Sequence, residues 1–335
     1  MSVKKRKKKN IRFILILAAI LVVLGTIVAV QTVEREHNVS ETAAPSDMIE
    51  PGTGEVVLDG KKYQYNDHLS NFLFLGIDNR QKEATKSGQA NAGQADALYL
   101  LSWDRVKDEI TVIAIPRDTL TQIEVFGLDG ESLGQTEDHI SLSYAYGDGV
   151  HESCRMTEEA VSALFYGLPI QGYCSINMDG IPVLVEGVGN LTVTVPNDSL
   201  EAVDPQYQVG AEVVLDSENA ETFVRYRDVT VSQSAISRME RQEVFLRAYG
   251  TAAEQKFTSD PEFITEMYSA LEPYMVTNMG SDQFAKIMES AAEKESVRNW
   301  TVPGKGEQGK TYDEYHVDEN ALYEKIIETF YEEVR

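Results

Sequence analysis

The chain has 335 residues, 42% of them hydrophobic, enough for one large core or two small ones. Its formal charge of −24 is unevenly divided: Lys4, Lys5, Arg6, Lys7, Lys8, Lys9 and Arg12 hold seven of the 30 basic residues, leaving 23 against 54 acidic ones. A body at −31 repels nucleic acid, which excludes DNA or RNA binding as its main role, and an anionic ligand would need a local basic pocket and a divalent cation.

Residues 1–12 form a basic tail. Phe13 to Val33 is an uncharged run of 21 residues, which at 1.5 Å per residue spans roughly 30 Å, the thickness of a bilayer core. A cleaved signal peptide would have a shorter apolar region of about 7–15 residues and a small-residue cleavage site, so the run reads as an uncleaved transmembrane helix. The basic cluster before it puts the N-terminus in the cytoplasm and everything after residue 33 outside. ATP is scarce there, which removes kinases and most nucleotide enzymes.

Residues 34–67 read as an extracytoplasmic stalk, polar and carrying Pro45, Pro51, Gly52 and Gly54, that closes with a short hairpin turning at Asp59-Gly60. Residues 68–335 read as one domain. Phe72 to Ile77, Ala97 to Ser102 and Ile110 to Ile115 are short continuous apolar runs, as in buried strands. Thr157 to Tyr166 has helical spacing with Thr157 as its expected N-cap. A strand from Tyr173 to Met178, a helix from Ile181 to Val188 and a β-branched strand from Leu191 to Val195 follow. Asp216 to Val224, Glu240 to Ala253, Asp260 to Leu271, Ser281 to Ser290 and Ala321 to Val334 read as amphipathic helices. The alternation predicts an α/β fold: a mixed central β-sheet flanked by helices on both faces, an α-β-α sandwich.

Cys154 and Cys174 are the two cysteines. No CxxC or Cys/His metal spacing exists, and a disulfide and two buried thiols are both open.

Charged residues stand at the ends of the apolar strands: Asp78 and Arg80 after the first, Asp96 before the second, Arg117 and Asp118 after the third. Such ends can converge at one rim of a sheet, where α/β folds bind ligands. Arg225 and Arg227 would leave one face of an extended strand, and Arg238, Arg241 and Gln242 one side of a helix. Convergent arginines form a fork for phosphate or carboxylate oxygens. No G-x-S-x-G occurs, so serine-hydrolase chemistry is unsupported.

The strings LFLGIDNR, QADALYLLS, IAIPRDT, VEGVGNLTVTVP, VRYRD and SRMERQEVFL, in this order behind an anchor, resemble the LytR-CpsA-Psr family of bacterial cell-envelope proteins. The likeness runs from about Asn71 to Ala248, and the tail after Trp300 is also similar. It implies an enzyme that moves an anionic glycopolymer, such as teichoic acid or capsule, from a polyprenyl-pyrophosphate carrier to peptidoglycan by Mg²⁺-assisted phosphoryl transfer. A pyrophosphatase side activity would fit the same site. By motif, Asp78 and Asp96 would hold the Mg²⁺ and act with Arg117 in catalysis. Arg80, Arg117, Arg225, Arg227, Arg238 and Gln242 would grip the pyrophosphate. A long apolar channel for the prenyl chain is also implied. The base that takes the acceptor proton stays open among Asp78, Asp96 and Asp118.

Departures from the family's pattern bear on activity. Gln94-Ala95 stands where an arginine usually precedes the acid, His139 where a lysine is usual, and Ala235 and Ser237 where an acid often precedes Arg238. A non-catalytic polyprenyl-phosphate or polymer binder that regulates envelope assembly is the alternative function, and an adhesive surface protein a third.

Overall fold

The computed structural model describes residues 54–80, 84–226, 228, 234–260, 262–293, 298–309 and 312–334. Strands β1 (Glu55–Leu58) and β2 (Lys61–Tyr65) form the first hairpin. Asp59 and Gly60 both take positive φ, 51° and 74°, the geometry that matches a hairpin's right-handed twist. β3 (Leu69–Ile77), buried along its whole length, then pairs antiparallel with β4 (Ala95–Asp104), and β4 antiparallel with β5 (Glu109–Ile115). β6 (Leu120–Phe126) and β7 (Ser132–His139) make a separate exposed hairpin.

Helices α1 (Leu142–Ala145) and α2 (His151–Leu164), strand β8 (Gly172–Asn177) and helix α3 (Gly180–Val188) follow. A two-stranded ribbon of β9 (Leu191–Thr194) and β10 (Glu212–Leu215) precedes α4 (Ala220–Arg225), α5 (Ser234–Ser259) and α6 (Phe263–Leu271). The chain ends with β11 (Met275–Thr277), α7 (Ser281–Glu293), β12 (Arg298–Thr301), a hairpin of β13 (Gly304–Gln308) and β14 (Asp313–Val317), α8 (Glu319–Phe330) and β15 (Tyr331–Glu333).

The central sheet is mixed and six-stranded, in the order β11-β8-β3-β4-β5-β12. β8 runs parallel to β3 and β12 parallel to β5, so the C-terminal ends of β3, β5 and β8 and the start of β4 share one rim. Neighbouring residues of β8 show that helices cover both faces. Ser175 accepts from the Cys154 thiol of α2, at 3.5 Å. Ile176 points the other way, where a side chain at Gly180 of α3 would meet its Cγ2 at 2.7 Å. Cys174 shares the Ile176 face, so Cys154 and Cys174 lie on opposite sides of the sheet. Both are free, buried thiols, and burial pushes Cys154 up to about 12 and Cys174 further.

Several boundaries differ from expectation, each for a physical reason. The hairpin assigned to the stalk belongs to the body: β15 adds to β2, and Val56 packs on Tyr323 and Ile327. The last helix therefore stops at Phe330, where Tyr331–Glu333 pairs as a strand instead of continuing to Val334. Helix α2 begins at His151 because Asp148 accepts from the N–H groups of Val150, Glu152 and Ser153. Thr157, the expected cap, is buried inside it and bonds the Ser153 carbonyl at 2.9 Å. Among the described residues no helix is long and apolar enough to cross a membrane, and the anchor expected at 13–33 lies outside them.

Candidate active site

The rim is shaped by an irregularity. Gly76 pairs with Ala97 and Ile77 with Ala95, so Asp96 is the extra residue of a β-bulge. A bulge frees its residue from the ladder and re-aims the side chain. The sequence had placed Asp96 just before the strand; it lies within it.

Opposite Asp96, Asp78 follows β3 and is clasped by the incoming loop. Its N–H donates to the Gln94 carbonyl at 3.1 Å, and its Oδ1 accepts from the Gln94 N–H at 2.6 Å. The clasp needs Gly93, at φ 86°, where a Cβ would stand 2.9 Å from the Asp78 oxygen and 2.8 Å from the Asn79 Cβ. Position 94 thus serves the site through its backbone.

Arg117, after β5, donates to Asp96 through Nη1 and to Asp118 through Nε at 3.1 Å. Burial raises the pKa of Asp96 above the ordinary carboxylate range; Arg117 and Arg238 pull it down, while the like charge of Asp78 pushes it further up. Burial opposes the charge of Arg117, but Asp96 and Asp118 outweigh it and raise its pKa. Asp78, Asp96, Arg117 and Arg238 therefore share one electrostatic neighbourhood.

A second group joins on the β8 side. Arg225 is the last residue of α4, where a cation meets the negative helix end, and not on a strand as the dipeptide spacing had suggested. Its Nη1 donates to Glu221 at 2.7 Å. Glu221 also accepts from Arg80, which reaches Asp179 at 3.2 Å. Arg80 is 57% exposed. Ion pairs this wet hold weakly and exchange readily. Arg227 lies outside the described residues.

Arg241 and Gln242 sit behind this group. Arg241 is fully buried and donates to the carbonyls of Phe223, at 2.7 Å, and Tyr226, and to the Ser199 hydroxyl. It lacks a carboxylate partner among these contacts, and burial followed by the nearby Arg238 lowers its pKa to about 10. Gln242, 3% exposed, donates to the Val224 carbonyl at 3.0 Å. Both residues thus fix the end of α4 that carries Arg225. His139 lies between Asp138 Oδ1, at 2.9 Å, and the Asp313 carbonyl, at 2.8 Å, tying β7 to the β13–β14 hairpin. Burial opposes its charge, but these acceptors prevail and raise its pKa.

Sequence reasoning missed Glu221 and Asp179, the acids that hold the outer arginines. The signal for Glu221 was present, because it stands four residues before Arg225 on a helix.

The donor set suits a hard divalent cation. Two acids repel each other at the rim, one of them already short of solvation, and oxygen ligands are what Mg²⁺ takes. No group of three or more His, Cys, Asp or Glu residues arranged to hold a metal exists among the described residues, so a cation there would take its remaining ligands from water or substrate. The space at the rim lined by Ile77, Asn79, Tyr144 and Asn177 is about 10 Å³, too small for a prenyl chain.

These features define a class: an α/β domain with paired carboxylates and arginines gathered at one rim of a mixed sheet. The chain belongs to the LytR_cpsA_psr family, which it matches over residues 24–329. A relative from Bacillus cereus, named polyisoprenyl-teichoic acid–peptidoglycan teichoic acid transferase TagU, is 26% identical over 308 residues, covering 90% of this chain and 89% of that one. The protein of that name from Halalkalibacterium halodurans is 34% identical over 121 residues, 36% of this chain and 33% of the relative. Among solved structures, B. subtilis TagV is similar in fold, with a TM-score of 0.55 at 20% identity, covering 78% of this chain and 97% of that one. The structure described as TagT bound to LI-WTA has a TM-score of 0.53 at 20% identity, over 78% and 89% of the two chains.

Proposed function

We propose that this protein transfers an anionic glycopolymer from a polyprenyl-pyrophosphate carrier to peptidoglycan, anchored in the cell membrane by residues 13–33 with its N-terminus in the cytoplasm. The observation that carries the reading is the meeting of Asp78, Asp96 and Arg117 at the bulged rim. The names of the relatives, teichoic acid transferases, agree with it.

Phosphoryl transfer asks a protein for in-line positioning and for neutralisation of phosphate charge. The acceptor hydroxyl oxygen bonds to the polymer-side phosphorus, the bridging P–O bond breaks, and polyprenyl phosphate leaves. The hydroxyl proton goes to a carboxylate at the rim. Arg117 supplies fixed donors to the phosphate oxygens. Arg80, 57% exposed, turns from Glu221 and Asp179 to the pyrophosphate when it arrives, because exposed ion pairs exchange cheaply, and Arg225, partly buried against Glu221, stands beside it. Asp78 and Asp96 would hold Mg²⁺, which, when bound, neutralises charge on the pyrophosphate.

The test is release of polyprenyl phosphate from a polyprenyl-pyrophosphate-linked glycopolymer by the full chain in detergent, with peptidoglycan fragments supplied as the acceptor. Release should need Mg²⁺ and fall about 10–150-fold in Arg117→Ala, the loss of about 1.5–3 kcal/mol in charge-assisted bonding. Carrier bound without turnover, at any Mg²⁺ concentration, would favour the binding-regulator reading instead.

A further inference from the structure

The loop that carries Arg117 and Asp118 is held from two flanks. On one, the residues after β7 grip it: the Ile140 N–H donates to the Thr119 carbonyl at 2.8 Å and the Ser141 N–H to the Arg117 carbonyl at 3.2 Å. The Ser141 carbonyl in turn accepts from the N–H of Ala95, the neighbour of Asp96, at 3.2 Å. On the other flank stands β14, where the Tyr315 N–H donates to the Asp118 carbonyl at 2.8 Å and Tyr315 forms a parallel bridge with Thr119. The backbone under Asp96 and Arg117 is thus steadied by two segments from different hairpins.

His139 ties those hairpins to each other. Its side chain is 14% exposed, which leaves water little room to replace a lost contact. Nδ1 lies 2.9 Å from Asp138 Oδ1, and Nε2 lies 2.8 Å from the Asp313 carbonyl. Both oxygens are acceptors: a carbonyl carries no hydrogen, and the same Asp138 Oδ1 already accepts from the His139 N–H at 2.7 Å. A neutral imidazole has one N–H, so in either tautomer one ring nitrogen would turn a lone pair towards an oxygen. The imidazolium, with two donors, satisfies both contacts.

The surroundings suit that cation. Asp138 faces it from its own strand and Asp118 from the Arg117 loop. The β13–β14 hairpin adds the Asp313 carbonyl and the ring of Tyr312, set edge-on with centroids 6.4 Å apart.

We propose that His139 is a positioning residue that works as the imidazolium, drawing β7 and β14 together around residues 117–119 and so keeping Arg117 aimed at Asp96 and at the phosphate oxygens. Its effect on turnover rests on the transfer reading; the clamp itself does not. Loss of the ring proton removes one of the two bonds and sets a lone pair against an acceptor, which loosens β7 from the β13–β14 hairpin. Burial disfavours the charged ring, but the two acceptors outweigh it. The clamp is therefore complete below the unfolded histidine value near 6.5 and is released as pH rises through the higher folded value.

The test joins NMR to turnover on the full chain in detergent from pH 5.5 to 9. His139 is one of five histidines, and its ring signals are assigned by their loss in His139→Gln. Both ring nitrogens should carry protons at about pH 6.5, and the Arg117 Nε–H signal should move with the His139 midpoint. Donor turnover, with peptidoglycan fragments as acceptor, should fall about 5-fold or more across that midpoint. His139→Lys, a cation throughout the range, should remove this step, and His139→Gln should be slow at pH 6 and match wild type above the midpoint. A ring already neutral at pH 6, or an Arg117 signal indifferent to its titration, would overturn the clamp. A ratio of wild-type to His139→Gln turnover that stays constant with pH would overturn it too, because the charge would then be irrelevant. An inactive wild type with both NMR signals as expected would sink the transfer reading and still support the clamp.

Discussion

One strand, β4, carries an aspartate at each end, and the two are treated in opposite ways. Asp104, 4% exposed, would be raised by burial, but the N–H groups of Lys107 and Val106 and the Asn66 amide overcome that and lower its pKa. Asp96 is partly buried, its side chain 15% exposed, yet it sits on a bulge beside a second acid, and Arg117 and Arg238 do not make up the loss of water. Satisfied backbone donors make a carboxylate a structural part; a shortage of them leaves it ready to take a cation or a proton. The domain thus spends stability at one end of the sheet and gains it at the other.

The largest effect that sharpens this contrast is at Asp104. Asp104→Ala leaves two backbone N–H groups and the Asn66 amide without their acceptor and should cost about 3 kcal/mol in denaturant unfolding, with activity per folded molecule unchanged. Because its pKa is lowered by folding, its contribution is present above the unfolded value near 3.8 and fades as pH falls through the folded value. A loss that persisted undiminished in acid would show that the charge is not the source.

A smaller effect is expected at Glu221, which occupies both Arg80 and Arg225. Glu221→Gln weakens that hold and should lower the KM for the pyrophosphate donor about 1.4–5-fold, in keeping with the ~0.2–1 kcal/mol typical of ion pairs near the surface. A raised KM would mean instead that Glu221 aims the arginines and does not compete with the substrate.

Much of the fold was legible because burial writes a simple pattern. β3 and β5 are buried nearly throughout and read as unbroken apolar runs. The β6–β7 hairpin was not legible: β7 is exposed over most of its length, so its sequence is polar and alternates for no core. Asp78 and Arg117 could be found as strand-end charges, since a chain leaving a sheet carries its polar residues to the rim. The bulge at Asp96 could not, because it exists only in the pairing of two strands. The arginine cluster misled in part: Arg241 has the same residue type and spacing as a ligand-binding group but spends its donors on the carbonyls at the end of α4.

The central claim, that Asp96 is held at a cost because it works, is tested most directly by thermal melts of Asp96→Asn against wild type from pH 4 to 8, with donor turnover measured on the same samples. A carboxyl whose pKa is raised by folding destabilises the fold once pH passes that raised value, and costs nothing below the unfolded value near 3.8. The account predicts a higher Tm for the variant at pH 7.5, a gain that shrinks towards pH 4, and turnover lost at every pH. A lower Tm with turnover retained would contradict it.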